Sequence, residues 1–353
     1  MEEVIITEKY AELVLLAEQY FGIPPSKIES LKGDGSDRSI YRVYATETPQ
    51  PPVVGVIHHN ISENQDFLLL TKKFQETGLP VPRIFSVNSR ENAYLMQDLG
   101  PDTLADKVIE WNTENQTEKI LSAYRLVLDH LFIMQQELPS TLTEFFQHRI
   151  MDISVYQADL DYFKRDFLNR FGFESFLNPS VQHELQLVLF EHLADLNVGY
   201  FVYRDFQARN IMWFENSPWF IDYQSAFLGP RYYDMASLLY GSKSGLDGPT
   251  RESLNSYYYG LLEPSPTFSF EKYQALFYLF VVLRRLRSLG TYGYLSSEKG
   301  KTAFFDSIHP TLEELVGLFY SQSCLGSFVN IFDMIKKVKD CWEQYGEDFR
   351  SRL

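Results

Sequence analysis

The stretch VYRDFQARNIMWF, residues 202–214, sets Asp205 five positions before Asn210 among aromatic and aliphatic residues. FIDYQSAFLGPRYYDMASLL follows at residues 220–239, with Asp222 directly behind Phe220 and Ile221. YFVYRD runs into ARNIMWF and WFIDY follows, which reads as two short β-type runs flanking a polar loop, the second ended by an acid. Taken singly, Asp205, Asn210 and Asp222 are ordinary turn formers. As a set they match the needs of metal-dependent phosphoryl transfer. One carboxylate meets the attacking hydroxyl, and an amide and a second carboxylate hold Mg²⁺ against the nucleotide phosphates. Positioning and electrostatics supply most of such catalysis, and a short braced loop provides both.

The 353 residues exceed what one hydrophobic core usually serves, so two lobes are expected. A formal net charge of −15 makes nucleic acid and anionic membrane poor partners. A nucleotide remains compatible, since a metal and a few local donors suffice to hold it. The two cysteines, Cys324 and Cys341, have neither metal spacing nor the pattern of a disulfide framework. MEEVIITEKY is acidic and lacks the basic and apolar regions of a signal peptide, so a cytoplasmic location is expected. The greasiest run, ALFYLFVVL (residues 275–283), is too short for a bilayer and reads as a buried helix.

Before the opening stretch, SIYRVYA and VVGVIHH read as strands joined by the turn-rich TETPQPP. The segment SENQDFLLLTKKFQETGLPVP reads as a helix, with Ser62 and Gln65 in capping-box spacing and Gly78 and Pro80 as stops. RIFSVN and NAYLMQDLG complete a small antiparallel sheet. Beyond Pro101 apolar residues recur at three and four spacing, interrupted around residues 200–224. The expected organisation is α+β: a sheet lobe over 1–97 and a larger, mainly helical lobe over 98–353.

The segments YRDFQARN, IDYQ and GPRYYDMASLL together resemble the aminoglycoside phosphotransferase/choline kinase group, which shares the bilobal protein-kinase fold. Within it the chain looks most like bacterial kinases that phosphorylate N-acetylmuramate and N-acetylglucosamine at the anomeric hydroxyl during cell-wall recycling. The likeness spans roughly residues 28–310 and is strongest over 203–240. It implies ATP and Mg²⁺ as cofactors and a small-molecule hydroxyl acceptor, a sugar, as partner. Asp205 would be the catalytic base, and Asn210 and Asp222 the metal ligands. Asp234 would brace the loop. LKGDGSDRS would form the phosphate-covering hairpin with Gly33, Gly35 and Ser36, and Met96, Gln97 and Asp98 would form the adenine-binding hinge.

Three departures stand out. Tyr203 replaces a His before the loop. Gln207 stands where relatives carry Lys or His facing the γ-phosphate. VVGVIHH offers Ile57, His58 and His59 where a phosphate-gripping Lys is usual, and the next helix has Glu63 and Asp66 only in its first turn. Arg38 or Arg42 is expected to supply the missing charge, since Arg42 shares a strand face with Ile40 and Tyr44. On the acceptor side, LRRLRSLGTYGYLSSEKGKTAFF suggests Arg284, Tyr292 and Tyr294 as sugar contacts; the alternative is a surface helix C-terminus in which Arg suits the dipole and Gly290 ends the helix. Asp159 and Asp161 are candidates for a cationic acceptor. An activity-free nucleotide-binding module is the alternative that the missing Lys supports. The intact Asp–Asn–Asp set opposes it. A protein substrate is disfavoured because little platform follows Asp222.

Overall fold

The computed structural model describes residues 10–31, 38–45, 50–194, 196–262 and 268–351. The chain divides into two compact units: the described residues within Met1–His130, Ser140–Leu142 and Ala208–Ala226, and those within Leu131–Pro139, Thr143–Gln207 and Phe227–Leu353.

The first unit opens with α1 (Ala11–Phe21), β1 (Pro25–Leu31), β2 (Ser39–Ala45), β3 (Val53–Ile57), α2 (Ile61–Glu76), β4 (Ile84–Val87) and β5 (Ala93–Gln97). The five strands form an antiparallel sheet in the order β1-β2-β3-β5-β4. Alternation along β2 turns Tyr41 and Val43 onto α1, where they join Leu13, Leu16, Ala17, Phe21, Val53 and Leu95 in one core. Gly55 in β3 is required there: a Cβ would lie 2.3 Å from a Leu13 methyl.

The sequence places the start of α2 at Ser62, and the structure moves it upstream. Asn60 is the N-cap, its side chain accepting from the Glu63 N–H at 3.3 Å. Asn caps as well as Ser does, and it precedes the first apolar residue of the helix.

The sheet ends with β5 at Gln97, but its compact unit continues through α3 (Leu104–Thr113) and the start of α4 (Thr117–Thr141). The second unit takes in α5 (Ile153–Phe163), α6 (Pro179–Leu187) and β6 (Tyr200–Val202). The chain then returns to the first unit for the hairpin β7 (Ile211–Phe214) and β8 (Ser217–Phe220). It re-enters the second for β9 (Phe227–Gly229), α7 (Tyr232–Leu239), α8 (Gly248–Leu261), α9 (Phe270–Ser297), α10 (Ile308–Ser321) and α11 (Val329–Arg350). The fold is thus the kinase-like α+β fold expected, a small antiparallel sheet and a larger helical part. Among the described residues no helix is long and apolar enough to cross a membrane.

Helix α9 corrects one expectation. It runs unbroken through Gly290, which is a packing residue rather than a terminator. Gly290 and Gly293 bring α9 against the end of α5 and the π-helical segment Lys164–Leu168 that continues it. A Cβ on Gly293 would stand 2.0 Å from the Asp166 carbonyl oxygen. Gly293→Ala therefore forces two backbones apart, and we expect a loss of about 1–3 kcal/mol in urea unfolding at constant m-value.

Candidate active site

In the first unit the β7–β8 hairpin fixes two of the three motif residues. Its two-residue turn, Glu215–Asn216, has φ of 51° and 57°, as a type I′ turn requires. The ladder pairs Ile211 with Phe220, and the Ile221 N–H donates to the Asn210 carbonyl at 3.3 Å. Asn210 and Asp222 therefore leave the open end of one hairpin side by side. Tyr223, directly after Asp222, is fully buried. Its ring stacks on Phe67 of α2 at 5.0 Å and 7°, and its hydroxyl meets Thr71 Oγ1 at 2.5 Å. Asp222 itself is left-handed at φ 70°, strain that such packing must sustain.

Around the Asp222 carboxylate the first unit assembles a charged network. Arg38 Nη2 donates to Glu63 Oε1 at 2.8 Å, and Arg38 Nη1 lies 3.7 Å from Asp222 Oδ1. Gln224 Nε2 donates to Asp222 Oδ1 at 2.8 Å and reaches Glu63 Oε1 at 3.3 Å. The Arg38 side chain is only 7% exposed, so this is no solvated hairpin arginine. Glu63 in the first turn of α2 thus partners an arginine, where the sequence showed the usual Lys–Glu pair to be absent.

Arg42 is engaged elsewhere. Its Nε and Nη2 grip the Asp98 carboxylate at 2.5 and 2.9 Å, and this hydrogen bond raises its pKa. Asp98 Oδ1 also accepts from the Gly100 N–H at 2.9 Å. At the end of β5, Met96 pairs with Val54 of β3, and the Gln97 N–H donates to the Arg83 carbonyl at 2.8 Å. Gly33, Gly35 and Ser36 lie outside the described residues.

In the second unit β6 and β9 pair, and the chain leaving β6 carries Tyr203, Arg204 and Asp205. Asp234 of α7 is fully buried and accepts both the Tyr203 N–H at 2.6 Å and the Arg204 N–H at 3.0 Å. The buried Tyr203 ring packs on Phe206 at 5.1 Å, so tyrosine serves as an anchor here without a histidine. Arg204 is left-handed at φ 78°, with its guanidinium 5.1 Å from the Phe227 ring. The Gln207 N–H closes the turn onto the Asp205 carbonyl at 2.9 Å, and the Gln207 side chain lies near Gly241.

Burial pushes the Asp234 carboxyl up to about 7 from an ordinary 3.8, against the two N–H donors and Arg284, which favour the anion. Folding then takes up a proton between those values, so the Asp234 contribution to stability falls as pH rises from about 4 to about 7. We expect Asp234→Asn to flatten that part of the stability–pH curve measured by urea unfolding.

The acceptor-side candidates divide. Arg284 is buried, with Nη1 donating to the Tyr233 hydroxyl at 2.5 Å and its charge 4.5 Å from that ring. Tyr292 is buried and stacked on Phe304 at 6.1 Å, while Tyr294 is part-exposed with Lys299 near its ring. Asp161 is exposed. Asp159 forms an ion pair with Arg287 at 2.6 Å. Sequence reading named Glu63 without its Arg38 partner and passed over Gln224 and the Arg287–Asp159 pair. A helix-start acid and an amide two residues after Asp222 give no one-dimensional sign of a partner 25 to 161 positions away.

The model of the phosphotransferase enzyme family matches residues 30–267. The chain belongs to this family. It is a small-molecule kinase. Among curated relatives of this phosphotransferase, the N-acetylmuramate/N-acetylglucosamine kinase of Pseudomonas aeruginosa is 23% identical over 315 residues, 84% of each chain. Among solved structures, the aminoglycoside phosphotransferase APH(2″)-IIa in ternary complex with streptomycin and ATP superposes with a TM-score of 0.55 at 12% identity, over 84% of this chain and 96% of that one. A choline/ethanolamine kinase family protein from Mesorhizobium loti superposes with a TM-score of 0.53 at 10% identity, over 88% and 93%. At such identities the two structures establish the fold of the phosphotransferase, with no bearing on its acceptor.

Proposed function

We propose that the protein transfers the γ-phosphoryl group of ATP to a hydroxyl of an amino sugar of the N-acetylmuramate/N-acetylglucosamine type, at the anomeric position, with Mg²⁺. The observation that carries the reading is the preserved set itself. Asp205 sits on a loop braced by Asp234, and Asn210 and Asp222 emerge together from one hairpin. The curated amino-sugar kinase, similar over 84% of the chain, favours the sugar as acceptor.

In this reading Asp205 accepts a hydrogen bond from the acceptor hydroxyl and takes its proton as that oxygen bonds to the γ-phosphorus of ATP, while the bond from the γ-phosphorus to the β,γ-bridging oxygen breaks and ADP leaves. Asn210 and Asp222 would hold the metal: an amide oxygen and a carboxylate are hard donors, and the Asp222 side chain is 43% exposed. Bound there, Mg²⁺ supplies charge neutralisation to the phosphates. Arg38 adds a fixed positive charge beside Asp222, in the place of the strand lysine. Gln207 donates a neutral hydrogen bond. Backbone groups of Met96–Asp98 bind adenine, with the Arg42–Asp98 clamp holding that segment to β2.

The test is phosphorus NMR of ATP and Mg²⁺ with the protein and separate pools of sugars, choline and aminoglycosides, beside Asp205→Asn. A new phosphate signal coupled to an anomeric proton, missing with the variant, supports the reading. Product from choline or an aminoglycoside alone replaces the acceptor. ATP binding without product from any pool moves the protein to an activity-free module.

A further inference from the structure

We propose that Arg287, held by Asp159, is the acceptor-binding position of this kinase, and that it selects an oxygen-rich, non-cationic molecule. The proposal rests on the phosphotransfer reading above and concerns the second unit alone.

Helix α9 is buried along most of its length, and Arg284 and Arg287 stand one turn apart on it. Arg284 is the inner rung, spent on Tyr233. Tyr233 precedes Asp234, whose carboxylate holds the backbone of Tyr203 and Arg204 immediately before Asp205. Arg287 is the outer rung. Its Nε donates to Asp159 Oδ1 of α5 at 2.6 Å, and its side chain keeps 28% exposure. Among the described residues its two terminal nitrogens make no hydrogen bond, and neither is a buried orphan. They are an oriented pair of donors open to solvent.

Asp205 is within electrostatic reach. Burial works against the Arg287 charge, yet Tyr233, Asp159 and Asp205 outweigh it and raise its pKa. A guanidinium fixed through Nε presents its terminal donors as a rigid fork, suited to adjacent hydroxyls or a carboxylate. The Asp159 carboxylate beside it can accept a hydrogen bond from a hydroxyl. Sugar oxygens satisfy both groups. A quaternary ammonium or a polyamine satisfies neither donor and meets a fixed positive charge, which disfavours it.

Steady-state kinetics on the full chain with ATP, Mg²⁺ and N-acetylglucosamine, N-acetylmuramate, choline or streptomycin test this. The proteins are the wild type, Arg287→Ala, Arg287→Lys and Asp159→Asn, with thermal unfolding as the fold control. We expect Arg287→Ala to raise the sugar KM about tenfold or more at unchanged ATP KM, the effect of losing charged hydrogen bonds. Arg287→Lys should lie between, because it keeps charge without the fork, and Asp159→Asn should raise the sugar KM less than Arg287→Ala does. If Arg287→Ala fails to fold, the other two variants carry the same comparison. Unchanged sugar KM in the variants, or equal rises for sugar and ATP, overturns the role of Arg287 and leaves the kinase standing. Wild-type preference for choline or streptomycin overturns the selectivity. No phosphorylation of any acceptor by the wild type removes the phosphotransfer reading, and this proposal with it.

Discussion

Asp205→Asn is expected to lower kcat by about 10²- to 10⁴-fold, the range general-base catalysis contributes, while leaving the ATP KM and the unfolding midpoint near wild type. The substitution is nearly isosteric. Three bonds that hold the loop are donated by its main chain: the Tyr203 and Arg204 N–H to the Asp234 carboxylate, and the Gln207 N–H to the Asp205 carbonyl. None of these three requires the Asp205 carboxylate. Single-turnover kinetics with circular dichroism check it. A collapse of the fold would mean that Asp205 is a structural residue, and a kcat within a few-fold of wild type would remove it as the base.

Arg38→Ala is the second large effect expected, a fall of about 10²-fold in kcat/KM for ATP, comparable to deleting one preorganised electrostatic donor. Arg38 is the cation facing Glu63 and Asp222 together, and Gln224 shares its amide between the same two acids. Without the arginine the Glu63 and Asp222 carboxylates lose the charged side chain that faces both, and Gln224 still reaches the two. Arg38→Lys restores charge but not the two-armed reach, so partial recovery is expected. Arg42→Ala serves as the contrast. It unlocks Asp98 and should act mainly on the ATP KM. Equal effects of Arg38→Ala and Arg42→Ala on both constants would show that neither arginine has a specific place in catalysis.

These contrasts mark where sequence reading stops. The order of strands and helices was legible because period-two and 3.6-residue patterns are properties of neighbouring residues, and the Asp–Asn–Asp spacing survives because one loop and one hairpin carry it. Pairings across long separations left no such trace. Arg38 and Arg42 look alike on β2 and just before it, and only the fold sends one to Glu63 and the other to Asp98. Gly290 has the composition of a helix stop, and the close approach of the chain around Tyr162 and Phe163 explains it instead. Arg284 and Tyr292 are polar enough to suggest a ligand, but a long buried helix satisfies one with Tyr233 and the other with Phe304. Asn60 is displaced by two positions from the cap that composition suggests, because Ser and Asn compete for the same role.

The left-handed backbone at Asp222 has an evolutionary cost attached. Glycine is the residue that relaxes φ of 70°, and Asp222→Gly would also abolish one of two carboxylates crowded beside Gln224. With Asp222 in the proposed metal-holding role, the same change that eases the chain deletes its chemistry. A laboratory population selected only for heat tolerance should therefore drift toward glycine here and arrive at a hardier, inert protein. Retention of aspartate at this position is a signature of selection for turnover against the gradient of stability.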